Sequence, residues 1–240
     1  MWRNFDWEVK QSSSKKYNQG LIAKGQYNHF NGSTYYSVYD GLGNWQGYIN
    51  AKGTQLVTNK QNPTTYYSQM SVRAWYGCAA TSLYTTLKAK NYAGNVTLVE
   101  FINGLPLSNN NPDEGQIGSP WSEPFTRVIS PIGLNKYARS YTPNSEVISG
   151  SSTDRVITEI YSGNYVLFWG EYAMRYPDTW KDPQHVMIAK GYKVVGNKEY
   201  ILIQDPGMYS PTDYRALHWY EKGDFDRYIT KKYRKMMVVR

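Results

Sequence analysis

The pattern of apolar and polar positions changes about a quarter of the way along the chain. Residues 17–58 contain short runs of alternating aromatic and polar residues, separated by turn sequences such as NG at 31–32 and DGLGN at 40–44. Between those turns, STYYSVYD is rich in β-branched and aromatic residues, which favour strands. Short strands separated by tight turns predict a small β-barrel. The polar segment TNKQNPTT at 58–65 follows and is typical of a linker.

Longer periodic segments occupy the chain from residue 66 onward. TSLYTTLKAKNY (81–92) and DRVITEIYSG (154–163) both place apolar residues at helical spacing. Three apolar segments predict strands: they are YVLFWG (165–170), HVMIAKGYKV (185–194) and EYILIQD (199–205). The turn sequence at Gly196-Asn197 predicts that the last two strands form a hairpin. Helices followed by a sheet with hairpin connections indicate an α+β fold.

These patterns divide the chain into three parts. We interpret residues 1–16 as the tail of a preceding segment, residues 17–62 as a small barrel module and residues 63–240 as an α+β domain. A chain of 240 residues is long enough to bury a sizeable core in such a domain.

Composition excludes several kinds of site. A single cysteine rules out an internal disulfide and a cysteine-only metal site, and the three histidines lack metal-ligand spacing, so we expect no metal and no cofactor. The chain contains no apolar run of about 18 residues, so we expect no membrane span. The opening MWRNFDWEVK does not resemble a signal peptide. Composition alone leaves open a cytoplasmic protein or a piece of a longer chain with an added Met1.

The formal net charge is +8, and its distribution is uneven. Residues 1–62 hold seven basic and three acidic side chains, which is half of the net charge in about a quarter of the chain. This excess favours an anionic partner such as a nucleic acid or a wall polymer, with a merely solubilising surface as the alternative. The basic residues form no dense stripe interleaved with aromatic residues, so we do not expect nucleic-acid binding.

Cys78 directly precedes a predicted helix. The amide groups and dipole at a helix N-terminus stabilise a thiolate, which is the reactive form of cysteine. The alternative is a buried, inert cysteine that fills space as a small apolar side chain.

A histidine and an aspartate end at one edge of the predicted hairpin. His185 opens one strand and Asp205 closes the other, within about three residues of being opposite each other. An imidazole oriented by a carboxylate can serve as the base for a nucleophile. Gln69, upstream of Cys78, is a candidate side-chain donor for an oxyanion hole beside the Cys78 backbone N–H.

The order Gln69, Cys78, His185, Asp205 resembles that of the papain-like cysteine peptidases, most closely those related to the bacteriocin-processing (double-glycine-leader) peptidases. The resemblance rests on YSQMSV, GCAATSLYTTL, NPDEGQIGSPW, YVLFWG, QHVMIAKGY and ILIQDP. It implies a papain-like α+β domain in which a helix carrying the cysteine packs on an antiparallel sheet carrying the histidine and the aspartate. It further implies that the last three residues form a catalytic triad and that Gln69 supplies the oxyanion hole.

Two features depart from that family's pattern. Ala79 stands after the cysteine, where the family often has glycine, and Gly77 precedes it. The step from Gln69 to Cys78 is also longer than the one typical of papain.

YYSVYDGLGNWQGYINAKGT, residues 35–54, resembles the SH3-like (GW-type) cell-wall-binding repeats of Gram-positive surface proteins. Those repeats pair an aromatic strand with a glycine-containing turn and a tryptophan followed by GYI or GWI. The resemblance implies an extracellular protein held at the cell wall, with Tyr36, Trp45 and Tyr48 as candidate ligand-binding residues. The alternative is that these aromatic side chains form the core of the small barrel.

Together these features predict a secreted or cell-surface cysteine peptidase or amidase. Its expected substrates are peptides or the peptide parts of peptidoglycan, and its N-terminal module is expected to target it to the wall, where an anionic wall polymer is a second partner. The alternative is a non-catalytic surface adhesin or wall-binding protein with a degenerate papain-like domain.

Overall fold

A computed structural model describes residues 1–17, 19–122, 128–174, 185–231 and 233–240 of the chain. In chain order, the strands and α-helices of this part are β1 (Ile22–Asn28), β2 (Thr34–Tyr39), β3 (Trp45–Asn50), β4 (Asn59–Gln61), α1 (Cys78–Ala89), α2 (Leu98–Asn103), β5 (Leu107–Ser108), β6 (Gln116–Ile117), α3 (Pro131–Ala138), β7 (Ser145–Val147), α4 (Thr153–Tyr161), β8 (Tyr165–Gly170), β9 (His185–Val195), β10 (Lys198–Gln204), β11 (Leu217–Glu221), α5 (Lys222–Lys231) and β12 (Met236–Val239). Short 3-10 turns lie at Ser13–Lys16, Ala51–Gly53 and Tyr172–Met174.

A seven-stranded antiparallel sheet forms the centre of the larger region. Six of its strands run in the order β11-β10-β9-β8-β12-β7. The seventh, β4, lies outside this order and pairs with β9. Alternate side chains of a strand point to opposite faces, and both faces of this sheet are covered. Along β8, Leu167 and Trp169 join one buried cluster, whereas Val166 and Phe168 join the other.

Helices cover the two faces of the sheet. The first cluster contains residues from α1, α2 and α3, and the second contains residues from α4 and α5. This is a mixed α and β fold with antiparallel pairing, as the sequence predicts. The predicted helices at 81–92 and 154–163 correspond to α1 and α4, and the predicted strand 165–170 is β8.

The predicted hairpin is confirmed by the pairing of β9 and β10. Lys198 pairs with Val195 across the Gly196-Asn197 turn, and Gln204 pairs with Ile188 at the other end. The turn requires Gly196 to adopt a positive φ of 59°, which glycine tolerates well. The hairpin brings the start of β9 and the end of β10 to the same end of the sheet, opposite the turn.

The segment predicted as a linker is part of the sheet instead. Residues 59–61 form β4, and the Asn62 N–H continues the pairing by donating to the Lys190 carbonyl at 2.9 Å. The Asn62 side chain is buried and donates to the carbonyls of Ile160 and Asn164 at 3.0 and 2.7 Å. The prediction of a linker was wrong because the backbone of residues 59–62 pairs with β9 and the buried Asn62 side chain binds backbone carbonyls.

The N-terminal region contains a three-stranded antiparallel sheet, β1-β2-β3. Both hairpin turns lie where the sequence predicts them, since Asn28 pairs with Thr34 and Tyr39 pairs with Trp45. The segment before this sheet packs against it, because Trp2 exchanges backbone hydrogen bonds with Tyr48 at 2.9 and 2.8 Å. The SH3-like barrel and the boundaries at residues 16 and 62 stay predictions.

This small sheet region contacts helix α4. The Gly20 N–H donates to Ser162 Oγ at 2.9 Å, and the Tyr161 hydroxyl donates to the Val57 carbonyl. A Cβ atom at Gly41 would lie 2.2 Å from Thr158 Oγ1, so only glycine fits that approach. The contact lies on the helix-α4 side of the large sheet, whereas α1 and Cys78 lie on the other side.

Candidate active site

Cys78 is the first residue of α1, as the sequence predicts. The preceding Gly77 provides no side-chain cap, and the first turn of the helix contains no acidic residue. The first amide groups of a helix have no partner within it, and they give its N-terminus a partial positive charge. The thiol therefore lies where a negative charge is stabilised, and the residue is only 3% exposed.

The helix that carries Cys78 is fixed to the strand that carries His185. Ser82, one turn into α1, donates its hydroxyl to the Val186 carbonyl at 2.9 Å. Both groups are buried, so this bond forms in a region of low dielectric constant where losing it is costly. It holds the cysteine and the histidine in a fixed relation across the boundary between helix and sheet.

His185 and Asp205 meet at the edge formed by the β9–β10 hairpin. His185 is the first residue of β9, and Asp205 directly follows β10. The His185 Nε2 and the Asp205 Oδ1 are 2.5 Å apart, a short charge-assisted hydrogen bond. The His185 side chain also forms a hydrogen bond with Cys78, so the imidazole lies between the thiol and the carboxylate.

Backbone amides hold the Asp205 carboxylate on both sides. The Gly207 N–H donates to Oδ1 at 2.8 Å, and the Ala173 N–H donates to Oδ2 at 2.9 Å. Ala173 reaches this position with a positive φ of 56°, a conformation that costs free energy for a residue with a side chain. Asp205 is 1% exposed, and these donors fix the position of its carboxylate.

The pKa of His185 is set by opposing effects. Burial of the ring lowers the pKa, whereas the charge and hydrogen bond of Asp205, followed by the hydrogen bond and charge of Cys78, raise it. The raising effects are larger in sum, so the pKa lies well above its ordinary value. A protonated imidazole beside a cysteine is the partner that a thiolate needs.

Gln69 contacts both the segment that follows Asp205 and the segment that precedes Cys78. Its backbone N–H donates to the Pro206 carbonyl at 3.0 Å, next to Asp205, and its Nε2 donates to the Trp75 carbonyl at 3.0 Å, shortly before Cys78. A primary amide carries two N–H groups, so the contact with Trp75 uses one of them. The structure thus brings all four residues of the predicted constellation into one neighbourhood.

Tyr66 is a residue of this site that the sequence does not single out. Its hydroxyl lies 2.7 Å from the Asp205 carbonyl and 2.9 Å from the Met208 carbonyl, so it fixes both ends of the turn that follows β10. Nothing local marks this tyrosine among the 24 in the chain, because its partners are about 140 residues away.

The three aromatic residues predicted to bind a ligand are not all together. The Trp45 and Tyr48 rings are 5.4 Å apart, and Tyr48 also packs on Phe5 at 4.7 Å. Tyr36 instead lines a cavity between the small sheet and α4. The sequence pattern therefore groups residues that lie in different places, because Tyr36 faces this cavity whereas Trp45 and Tyr48 pack on each other.

The described parts of the chain contain no group of three histidine, cysteine or acidic residues arranged to hold a metal ion. Among the helices within those same ranges, none is both long and apolar enough to cross a bilayer.

Comparisons with known proteins identify the family and the fold. The model of the Peptidase_C39 like family matches residues 61–237, which include all four residues of the site. Among solved structures, a Bacillus anthracis protein described as a C39-like peptidase has the same fold, with a TM-score of 0.60 and 19% sequence identity over 76% of this chain and 97% of that one. Curated protein sequences give no match. Since the family model covers well over half of the chain, the protein belongs to the Peptidase_C39 like family and is a cysteine peptidase.

Proposed function

We propose that the protein hydrolyses peptide bonds through a triad of Cys78, His185 and Asp205. The observation that carries the proposal is the position of His185, which contacts Cys78 on one side and binds Asp205 at 2.5 Å on the other. Nε2 is the ring nitrogen held by the carboxylate, which leaves Nδ1 as the nitrogen that exchanges a proton with the thiol.

Acylation begins when the Cys78 thiolate attacks the carbonyl carbon of the scissile amide. The developing oxyanion accepts hydrogen bonds from the Cys78 backbone N–H and from the second N–H of the Gln69 side chain. His185 then gives its proton to the leaving nitrogen, so that the C–N bond breaks and an amine departs, with a thioester left on Cys78. In deacylation, His185 takes a proton from water and the resulting hydroxide attacks the thioester. The C–S bond breaks and a carboxylic acid departs, which restores the Cys78 thiolate and the protonated His185.

The peptide parts of peptidoglycan are the substrate class that we favour. An enzyme attached to a module that binds its substrate's surface acts at a high effective concentration. The N-terminal region has the properties that such attachment requires. It holds half of the net positive charge, and Phe30 lies exposed on the loop between β1 and β2. Its sequence resembles the GW-type wall-binding repeats, so an anionic wall polymer is its proposed partner and the extracellular side of the wall its proposed location.

The substrate proposal is tested by incubating the protein with purified Gram-positive sacculi. We expect new free amino groups to accumulate with the wild-type protein and not with the matched Cys78→Ala variant. A general peptide library assayed in parallel tests the peptidase function separately from the choice of wall peptides as the substrate. Cleavage of peptides without release from sacculi would contradict the wall substrate alone, and cleavage of neither would contradict the peptidase function.

A further inference from the structure

The four residues before α1 form a turn that determines where Cys78 lies. The Gly77 N–H donates to the Ala74 carbonyl at 2.9 Å and closes this turn. A Cβ atom at Gly77 would lie 2.8 Å from the Ala74 Cβ, so the turn is too tight for any other residue. The carbonyls of Trp75 and Tyr76 are the last two before Gly77, the residue that directly precedes α1.

Two buried glutamines hold these two carbonyls in succession. Gln69 Nε2 donates to the Trp75 carbonyl at 3.0 Å, and Gln116 Nε2 donates to the Tyr76 carbonyl at 3.2 Å. The segment that begins with Gln116 also binds the N–H of Tyr76, which donates to the Pro120 carbonyl at 3.0 Å. The backbone of Tyr76 is thus fixed in both directions by residues 116–120.

The Gln116 side chain lowers the stability of the fold at its position. The residue is fully buried, and its Oε1 has no hydrogen-bond partner among the residues that the structure describes. A buried polar atom without a partner destabilises the fold, and an apolar side chain of similar volume avoids that cost. A residue that only filled this space would therefore be better replaced by methionine or leucine.

We propose that Gln116 is a positioning residue that keeps the Tyr76–Gly77 peptide in the orientation that the Cys78–His185 ion pair requires. The proposal rests on the proposed function of that pair. Gly77 has no side chain to restrict its backbone, so this peptide plane can flip if its carbonyl is released. A flip would break the hydrogen bond from the Gly77 N–H to the Ala74 carbonyl and shift the start of α1, which begins with Cys78. The hydrogen bond from Gln116 opposes this flip from the carbonyl side of the same peptide.

The substitution Gln116→Met tests this role because it keeps the volume and removes the amide. We expect the melting temperature to stay close to that of the wild type, because the lost hydrogen bond to the Tyr76 carbonyl offsets the removal of the unpartnered oxygen. We expect kcat to fall by about 10- to 100-fold, the loss that misplacing a reacting group by about 1 Å causes. KM should stay close to the wild-type value, since no substrate contact is removed. The rate of Cys78 alkylation by iodoacetamide at pH about 6, where an ordinary thiol is protonated, should fall in parallel.

A second variant and a matched control complete the test. Gln116→Glu places an acceptor against the Tyr76 carbonyl, so we expect a larger loss of alkylation rate that is partly restored as the carboxyl is protonated at low pH. Asn135→Leu in α3 removes another buried amide, whose oxygen has no hydrogen-bond partner in the described part of the chain, and should leave alkylation unchanged. Wild-type alkylation in both Gln116 variants would overturn the positioning role. Slow alkylation of the wild type itself would instead overturn the ion pair, and with it the proposed function.

Discussion

Replacing Cys78 with alanine is expected to abolish peptide hydrolysis while leaving the fold intact. Loss of the attacking atom of a catalytic unit typically lowers kcat by on the order of 10⁶-fold, which leaves no rate measurable in an ordinary assay. Because the side chain is small and buried, removing its sulfur should cost no more than about 1 kcal/mol of unfolding free energy. Hydrolysis of a fluorogenic peptide and thermal unfolding, measured on the same preparation, check both parts.

The matched control for this variant is Ser82→Ala. Ser82 lies on the same helix and loses its hydrogen bond to the Val186 carbonyl, so stability should fall by about 1 kcal/mol while hydrolysis remains measurable. Full activity in Cys78→Ala would show that another group attacks the substrate, and the account of the site would fail.

The Asp205→Asn variant is expected to lower kcat by about 10²- to 10⁴-fold, the usual contribution of an oriented acid and base. The pH dependence should change as well. Burial lowers the pKa of His185, whereas Asp205 and Cys78 raise it, so removing the charge of the Asp205 carboxylate lowers the pKa. His185 then loses its proton at a lower pH than in the wild type. The alkaline limb of kcat/KM should therefore move toward lower pH, as measured in one buffer series for both proteins.

Asp213→Asn provides the control for a lost acidic charge in the segment between β10 and β11. Asp213 pairs with Arg215 at the surface, and its carboxylate has no contact with His185 among the described residues. We expect its pH profile to overlay that of the wild type. An alkaline limb that stays in place in Asp205→Asn would mean that Asp205 does not set the protonation of His185.

The sequence predicts those parts of the site that local patterns determine. The start of α1 follows from Gly77 and the helical spacing after Cys78, and the meeting of His185 with the Asp205 edge follows from one hairpin turn. Both are short-range features, since a two-residue turn sets the register of the strands that it joins, and the shift between Leu202 and Ile203 moves that register by only one residue. Their agreement with the structure explains why a nucleophile and its partners could be named from one chain.

Contacts between distant segments are what the sequence does not reveal. Tyr66 and Gln116 bind backbone carbonyls about 140 and 40 residues away, and no periodicity marks a side chain for such a bond. Residues 59–61 look like a linker because they are polar, yet they extend the large sheet by pairing with β9. From sequence alone, a polar side chain that will bind backbone groups in the interior is indistinguishable from one exposed at the surface.

We propose that His185 holds Cys78 as a thiolate. The decisive measurement is the rate of iodoacetamide alkylation as a function of pH, compared between the wild type and His185→Ala. An ordinary thiol has a pKa of about 8.5 and is less than about 1% ionised at pH 6. We predict rapid alkylation of the wild type at pH 6 and a large decrease in His185→Ala, in which the helix and the burial of the thiol are retained. Alkylation that rises only above about pH 8 and is the same in both proteins would contradict the claim.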